Sequence, residues 1–122
     1  MAKLIDVDNL SRLMRTFTEE RDWAKFHSPK NLALALTGEV GELCAELQWL
    51  NDAEASADGM TPEKRAATAA ELADVAIYLV QLADRLAIDL DTAVQDKMAE
   101  NALRYPVATS YGSAEKAEHL PG

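Results

Sequence analysis

The sequence predicts an all-α protein, and three observations carry that expectation. Leucine and alanine dominate the apolar residues while valine and isoleucine are sparse, a composition that suits helices better than strands. Apolar residues recur at three- and four-residue intervals, and no alternating stretch, internal repeat or low-complexity tract stands out. Two pairs, Ser28-Pro29 and Thr61-Pro62, open long apolar segments with a capping hydroxyl followed by proline at the first helical position.

Four helices follow in order. The first is expected over 8–21, capped by Asp8; the second over 29–51, capped by Ser28. The third is expected over 62–87, capped by Thr61. The fourth covers 91–104, begins near Asp89 or Asp91 and is stopped by Pro106. The stretch "NDAEASADGM" between the second and third is small, polar and expected to be exposed. The 122 residues suit one domain, placed at 1–108, with a flexible tail over 109–122, "TSYGSAEKAEHLPG".

Composition narrows the function classes. A net charge of -9 argues against a nucleic-acid polymer as partner, because such binding is driven by phosphate neutralisation. No apolar run reaches the roughly 18 residues of a membrane span, and the first residues lack the pattern of a signal peptide. A single cysteine, Cys44, forms no internal disulfide and reads as a small packing residue, which fits a reducing cytoplasm.

The second helix raises the central question. Glu39, Glu42 and Glu46 share one helical stripe beside Leu36, Val40, Leu43 and Leu47, while Lys30, Thr37 and Gln48 lie on the opposite side. The third helix repeats the arrangement: Glu71 and Asp74 share a stripe with Tyr78 and Arg85 beside Val75, Leu79 and Leu82. Such pairs are common on solvated faces. These border the core instead, and Gly38 and Gly41 each cost up to about 1 kcal/mol in a helix interior, which suggests a close approach by a ligand or another backbone. Four converging carboxylates repel one another, and divalent metal is the direct remedy. All-oxygen ligation without a Glu-x-x-His pair favours Mg2+, with Mn2+ as an alternative, over zinc or iron.

Further candidates have two readings each. Lys97, Asn101 and Arg104 fall on one stripe of the fourth helix, either a solvated basic face or a phosphate grip to which Arg85 adds. Trp23, Trp49 and Tyr78 are core aromatics or stacking partners for a nucleobase. His27 is a loop histidine or a hydrogen-bonding group in a base pocket.

The segments "FHSPKNLALALTGEVGELCAELQW", "ELADVAIYLVQLAD" and "KMAENALRYPV" resemble the all-α nucleoside triphosphate pyrophosphatases of the MazG type, and among them the dCTP pyrophosphatase branch. The match runs over about residues 5–107 and keeps Glu-x-x-Glu, Glu-x-x-Asp and Lys-x-x-x-Asn-x-x-Arg-Tyr-Pro in order. The resemblance implies a four-helix bundle assembled as a homotetramer, a dimer of dimers with shared active sites. It implies Mg2+ on Glu39, Glu42, Glu71 and Asp74. Trp23, His27, Trp49 and Tyr78 would shape the nucleoside pocket, and Lys97, Asn101, Arg104 and Arg85 would hold phosphates. The implied reaction cleaves a nucleoside triphosphate, dCTP or a modified dCTP, to the monophosphate and pyrophosphate, with Glu42 or Glu46 taking a proton from water. A dUTP-type or broad-specificity enzyme is the alternative within the family, and a metal-free helical dimerisation module is the alternative outside it. Two positions depart from the pattern. Met14 stands where some relatives place a substrate-contacting histidine. Glu46 is acidic where several relatives are apolar, so base, extra ligand and surface charge all stay open for it.

Overall fold

Side-chain caps start each long helix in the computed structural model, which describes residues 5–114. α1 spans Val7–Glu20, α2 Pro29–Leu47, α3 Pro62–Arg85, α4 Leu90–Arg104 and the short α5 Val107–Ser110; a single 3-10 turn, Ala24–Phe26, lies between α1 and α2. No strand occurs among the described residues. Ser28, Thr61 and Asp89 each accept a hydrogen bond at 3.1 Å from the backbone amide three residues on, as their positions predict. α1 differs. Asp6 is its cap, accepting from the Asn9 amide at 3.1 Å, and Asp8 sits in the first turn, where its charge still complements the helix dipole.

Two helix ends use a left-handed residue without glycine. After α1 the Asp22 amide donates to the Glu19 carbonyl at 3.1 Å and the Trp23 amide to Thr18 at 2.9 Å. After α3 the Ala87 amide donates to Asp84 at 3.1 Å and the Ile88 amide to Ala83 at 2.9 Å. Asp22 and Ala87 have φ of 52° and 55°, which completes the paired 6→1 and 5→2 bonds of a Schellman end. α3 therefore stops at Arg85 and not at 87.

α2 also stops early, at Leu47 and not at 51. Asn51 and Glu54 bond each other's backbone amides, at 3.0 and 2.8 Å, and such local side-chain bonds compete with helix continuation. The loop that follows folds on itself. Ser56 Oγ donates to the Ala53 carbonyl at 2.7 Å and accepts from the Gly59 amide at 3.0 Å. Arg65 Nη2 reaches back to the Ala57 carbonyl.

Residues 6–88 form one compact unit and the chain from residue 89 a second. In the first, α2 and α3 pack along each other and α1 packs on α3. Leu32, Val80, Ala83 and Val7 are buried. Leu34, Val40, Leu72 and Leu79 stay exposed, so the leucine arcs of α2 and α3 are only partly covered within the chain. α3 is long and apolar enough to cross a membrane by length and composition. It also carries Glu71, Asp74, Asp84 and Arg85 and packs against α1 and α2. In the second unit, α5 spans the expected domain boundary at 108; residues 115–122 of the expected tail lie outside the described residues.

Gly59 is required by space. A Cβ built there lies 1.8 Å from the Ala53 carbonyl oxygen. Gly59→Ala should lower stability by about 1–3 kcal/mol, the range for overpacking, seen as a reduced denaturation midpoint; an unchanged midpoint would show that the loop has slack.

Candidate metal centre and cavity

The α2–α3 packing brings the acidic stripes together. Carboxyl oxygens of Glu39, Glu42 and Glu71 all lie within 4.8 Å of one another. Asp74, one turn beyond Glu71, adds its charge to both Glu39 and Glu71. Glu39 Oε2 and Glu71 Oε2 are sealed from solvent and accept no hydrogen bond from any described residue. Acceptors closed off in this way oppose folding unless something satisfies them.

The electrostatics follow. Burial first, then a hydrogen bond with Glu42 that one of the two carboxyls must hold a proton to make, then the charges of Glu42, Asp74 and Glu71, push the Glu39 carboxyl up to about 7. Burial and the Glu42 charge also raise Glu71. Two states relieve the cluster: protonation, or a bound cation. The donors are all carboxylate oxygens, which fits a hard divalent ion such as Mg2+ or Mn2+.

Glu46 stands apart from this group. Its Oε2 pairs with Lys64 Nζ at 2.9 Å, and both side chains are about two-thirds covered. Gly38 and Gly41 have nothing within 4 Å of where a Cβ would lie. The close approach that two glycines suggest is thus not made by any described residue of the chain itself.

A cavity of about 370 Å³ lies between α1, the 3-10 turn, the start of α2 and the C-terminal half of α3. His27 and Arg85 line it, together with Met14, Arg15, Gln81 and Asp84. Trp23 stacks edge-to-face on Phe17, with centroids 5.8 Å apart, and remains 44% exposed. Trp49 lies beyond the end of α2 and is 87% exposed. Tyr78 is half-buried on the α3 stripe between Asp74 and Arg85. Lys97, Asn101 and Arg104 fall on one face of α4, in the second unit; Lys97 pairs with Glu100 at 3.4 Å and Arg104 lies over the Tyr105 ring at 5.7 Å.

Sequence reasoning missed four residues. The Lys64 partner of Glu46 and the Arg15–Asp84 pair at 3.7 Å link residues 18 and 69 positions apart, and no local pattern announces them. Gln81 did leave a signal: it is a lone amide in the apolar run "YLVQLA".

The pH dependence of the metal-free chain tests the cluster. The folded value of Glu39 lies above the ordinary 4.5, so the native state holds the proton longer than the unfolded one. Its contribution to stability is complete below about 4.5 and is lost as pH rises to about 7. Scanning calorimetry with chelator should show the midpoint falling across that window, and Glu39→Gln should flatten the fall. An equal slope in both proteins would contradict the clustering.

Comparison with known proteins agrees with the geometry. A family model described as MazG-like matches residues 37–120. dCTP pyrophosphatase 1 of Rattus norvegicus is 51% identical over 115 residues, 94% of this chain and 68% of the rat protein. The Homo sapiens protein of the same name is 48% identical over the same shares. The crystal structure of a pyrophosphatase from Archaeoglobus fulgidus superposes with a TM-score of 0.74 at 33% identity, covering 87% of this chain and 97% of the archaeal one. With helices, acidic motifs and overall identity all in agreement, the chain belongs to the MazG-like family.

Proposed function

We propose that the chain is a nucleoside triphosphate pyrophosphatase that hydrolyses dCTP or a modified dCTP to the monophosphate and pyrophosphate, a nucleotide-pool house-cleaning activity. The observation that carries the proposal is the convergence of carboxylate oxygens of Glu39, Glu42 and Glu71 from facing helices within 4.8 Å of one another, with one oxygen each of Glu39 and Glu71 sealed and without a donor. The substrate comes from the relatives, whose name specifies dCTP.

Glu39, Glu42, Glu71 and Asp74 would hold Mg2+, or Mn2+ in its place. Bound there, the ion supplies neutralisation of phosphate charge and a lowered pKa for a coordinated water. The remaining chemistry belongs to the chain. Glu42 and Glu46 are the candidates for taking the proton of the attacking water. Lys64 already occupies one oxygen of Glu46, which leaves Glu42 the freer of the two. Lys97, Asn101, Arg104 and Arg85 supply donors and positive charge for the phosphates, as phosphoryl transfer requires. Trp23, His27, Trp49 and Tyr78 surround the nucleoside; of these, His27 lines the cavity together with Arg85.

Assembly as a homotetramer, a dimer of dimers, belongs to the same reading. The exposed leucines of α2 and α3 and the 87% exposed Trp49 support it, since a single chain leaves these apolar faces uncovered. So does the open space beside Gly38 and Gly41. The lone Cys44 supports a cytoplasmic setting.

Pyrophosphate release with Mg2+ across the eight common ribo- and deoxynucleoside triphosphates tests this reading. dCTP should be turned over fastest; equal turnover of all eight identifies a broad-specificity enzyme, a dUTP maximum a dUTP-type enzyme, and no turnover or binding a helical assembly module. Glu71→Ala and Asp74→Ala should each reduce activity more than about a hundredfold while far-ultraviolet circular dichroism stays helical. Full activity in either variant overturns the metal assignment.

A further inference from the structure

Part of the cavity wall is already paired. Arg15 Nε and Asp84 Oδ2 face each other at 3.7 Å. The Thr18 hydroxyl donates to the Met14 and Arg15 carbonyls of its own helix, both at 3.0 Å. Met14 offers a thioether, a weak acceptor with no donor. Gln81 is different. It lines the cavity with only 8% of its surface exposed, and no described residue hydrogen-bonds its carboxamide. Its amide atoms are not sealed inside the protein; they open to the cavity, where a ligand and not a neighbouring side chain can meet them.

The position on α3 adds a second argument. Glu71, Asp74, Tyr78, Gln81 and Arg85 follow one another at intervals of three or four residues and share a stripe. Gln81 lies seven residues beyond Asp74, a separation of about 10.5 Å along the axis. That matches the reach from an α-phosphorus to the far edge of a pyrimidine. A nucleotide with its phosphates at the carboxylates and its base in the cavity would bring that edge to Gln81.

We propose that Gln81 is a specificity-determining residue, whose carboxamide hydrogen-bonds the Watson–Crick edge of a nucleobase seated in the cavity between α1 and α3. The assignment rests on the nucleotide reading above. A carboxamide carries one acceptor and two donors side by side. Its oxygen accepts from the 4-amino group of cytosine while its nitrogen donates to N3. Gln81 provides in this way the paired donor and acceptor that the thioether of Met14 lacks.

Steady-state kinetics of the full chain test the role, with dCTP and with the triphosphate of 2-pyrimidinone deoxyriboside, which lacks the 4-amino group. Binding of a non-hydrolysable α,β-imido dCTP with Mg2+ is measured beside them, and circular dichroism checks each fold. Gln81→Leu keeps the size of the side chain; it should raise KM for dCTP by about ten- to a hundredfold, the loss expected for a pair of hydrogen bonds, with kcat changed much less. The same variant should treat the two substrates nearly alike, where the native chain prefers dCTP. Gln81→Glu keeps only acceptors; it should retain a preference for the amino-bearing base and lose affinity for dUTP further. If the native chain binds the imido analogue but Gln81→Leu and Gln81→Glu keep the native KM and base preference, the role of Gln81 is overturned while the nucleotide reading stands. If the native chain binds no analogue, the nucleotide reading fails and the Gln81 proposal fails with it.

Discussion

Like charge gathered where two helices pack is the constraint around which this chain is organised. Three carboxylates gather within 4.8 Å, and one oxygen each of Glu39 and Glu71 is closed off from solvent without a donor among the described residues. Left alone, the cluster opposes folding as it ionises, and the upward displacement of Glu39 and Glu71 expresses that opposition. Apolar residues at the same positions would pack without conflict. A cluster of this kind is intelligible as a binding site whose stability is completed by its ligand.

The same constraint shapes the surroundings. α2 holds its glutamates on the border between the inward leucines and the open side where Gly38 and Gly41 present bare backbone. α3 carries the acidic stripe onward to Tyr78, Gln81 and Arg85, so one rigid rod joins the carboxylates to the cavity against α1. Helix rigidity sets the spacing between a charged end and a base-sized hollow, which a loop would hold less well. The thin core belongs to this design. With Leu32 and Val80 among the few fully covered apolar side chains, much of the leucine surface faces outward, and the family reading assigns it to other copies of the chain.

Much of this was legible in the sequence because the signals are local. Ser28, Thr61 and Asp89 cap where a hydroxyl or carboxylate precedes a helical run. Glu39, Glu42 and Glu71 converge because two helical stripes of three-residue period face each other. The misses share a cause as well. Asp6 and Asp8 are both good caps, and the choice between them depends on backbone direction outside the helix. Asp22 and Ala87 adopt a left-handed conformation that sequence rules reserve for glycine. α2 ends before Trp49 because Asn51 and Glu54 bond each other's amides. Glu46 meets Lys64 across 18 residues, a contact that only the packing of α2 on α3 creates. The cavity arises from four segments and has no sequence motif of its own, although an amide among leucines marked one wall.

The most direct measurement is the crystal structure of the full chain grown with Mn2+, with the ion located by its anomalous scattering. The account predicts an anomalous peak between α2 and α3, coordinated by oxygens of Glu39, Glu42, Glu71 and Asp74. A peak elsewhere, or no peak with the four carboxylates turned apart into solvent, would contradict it.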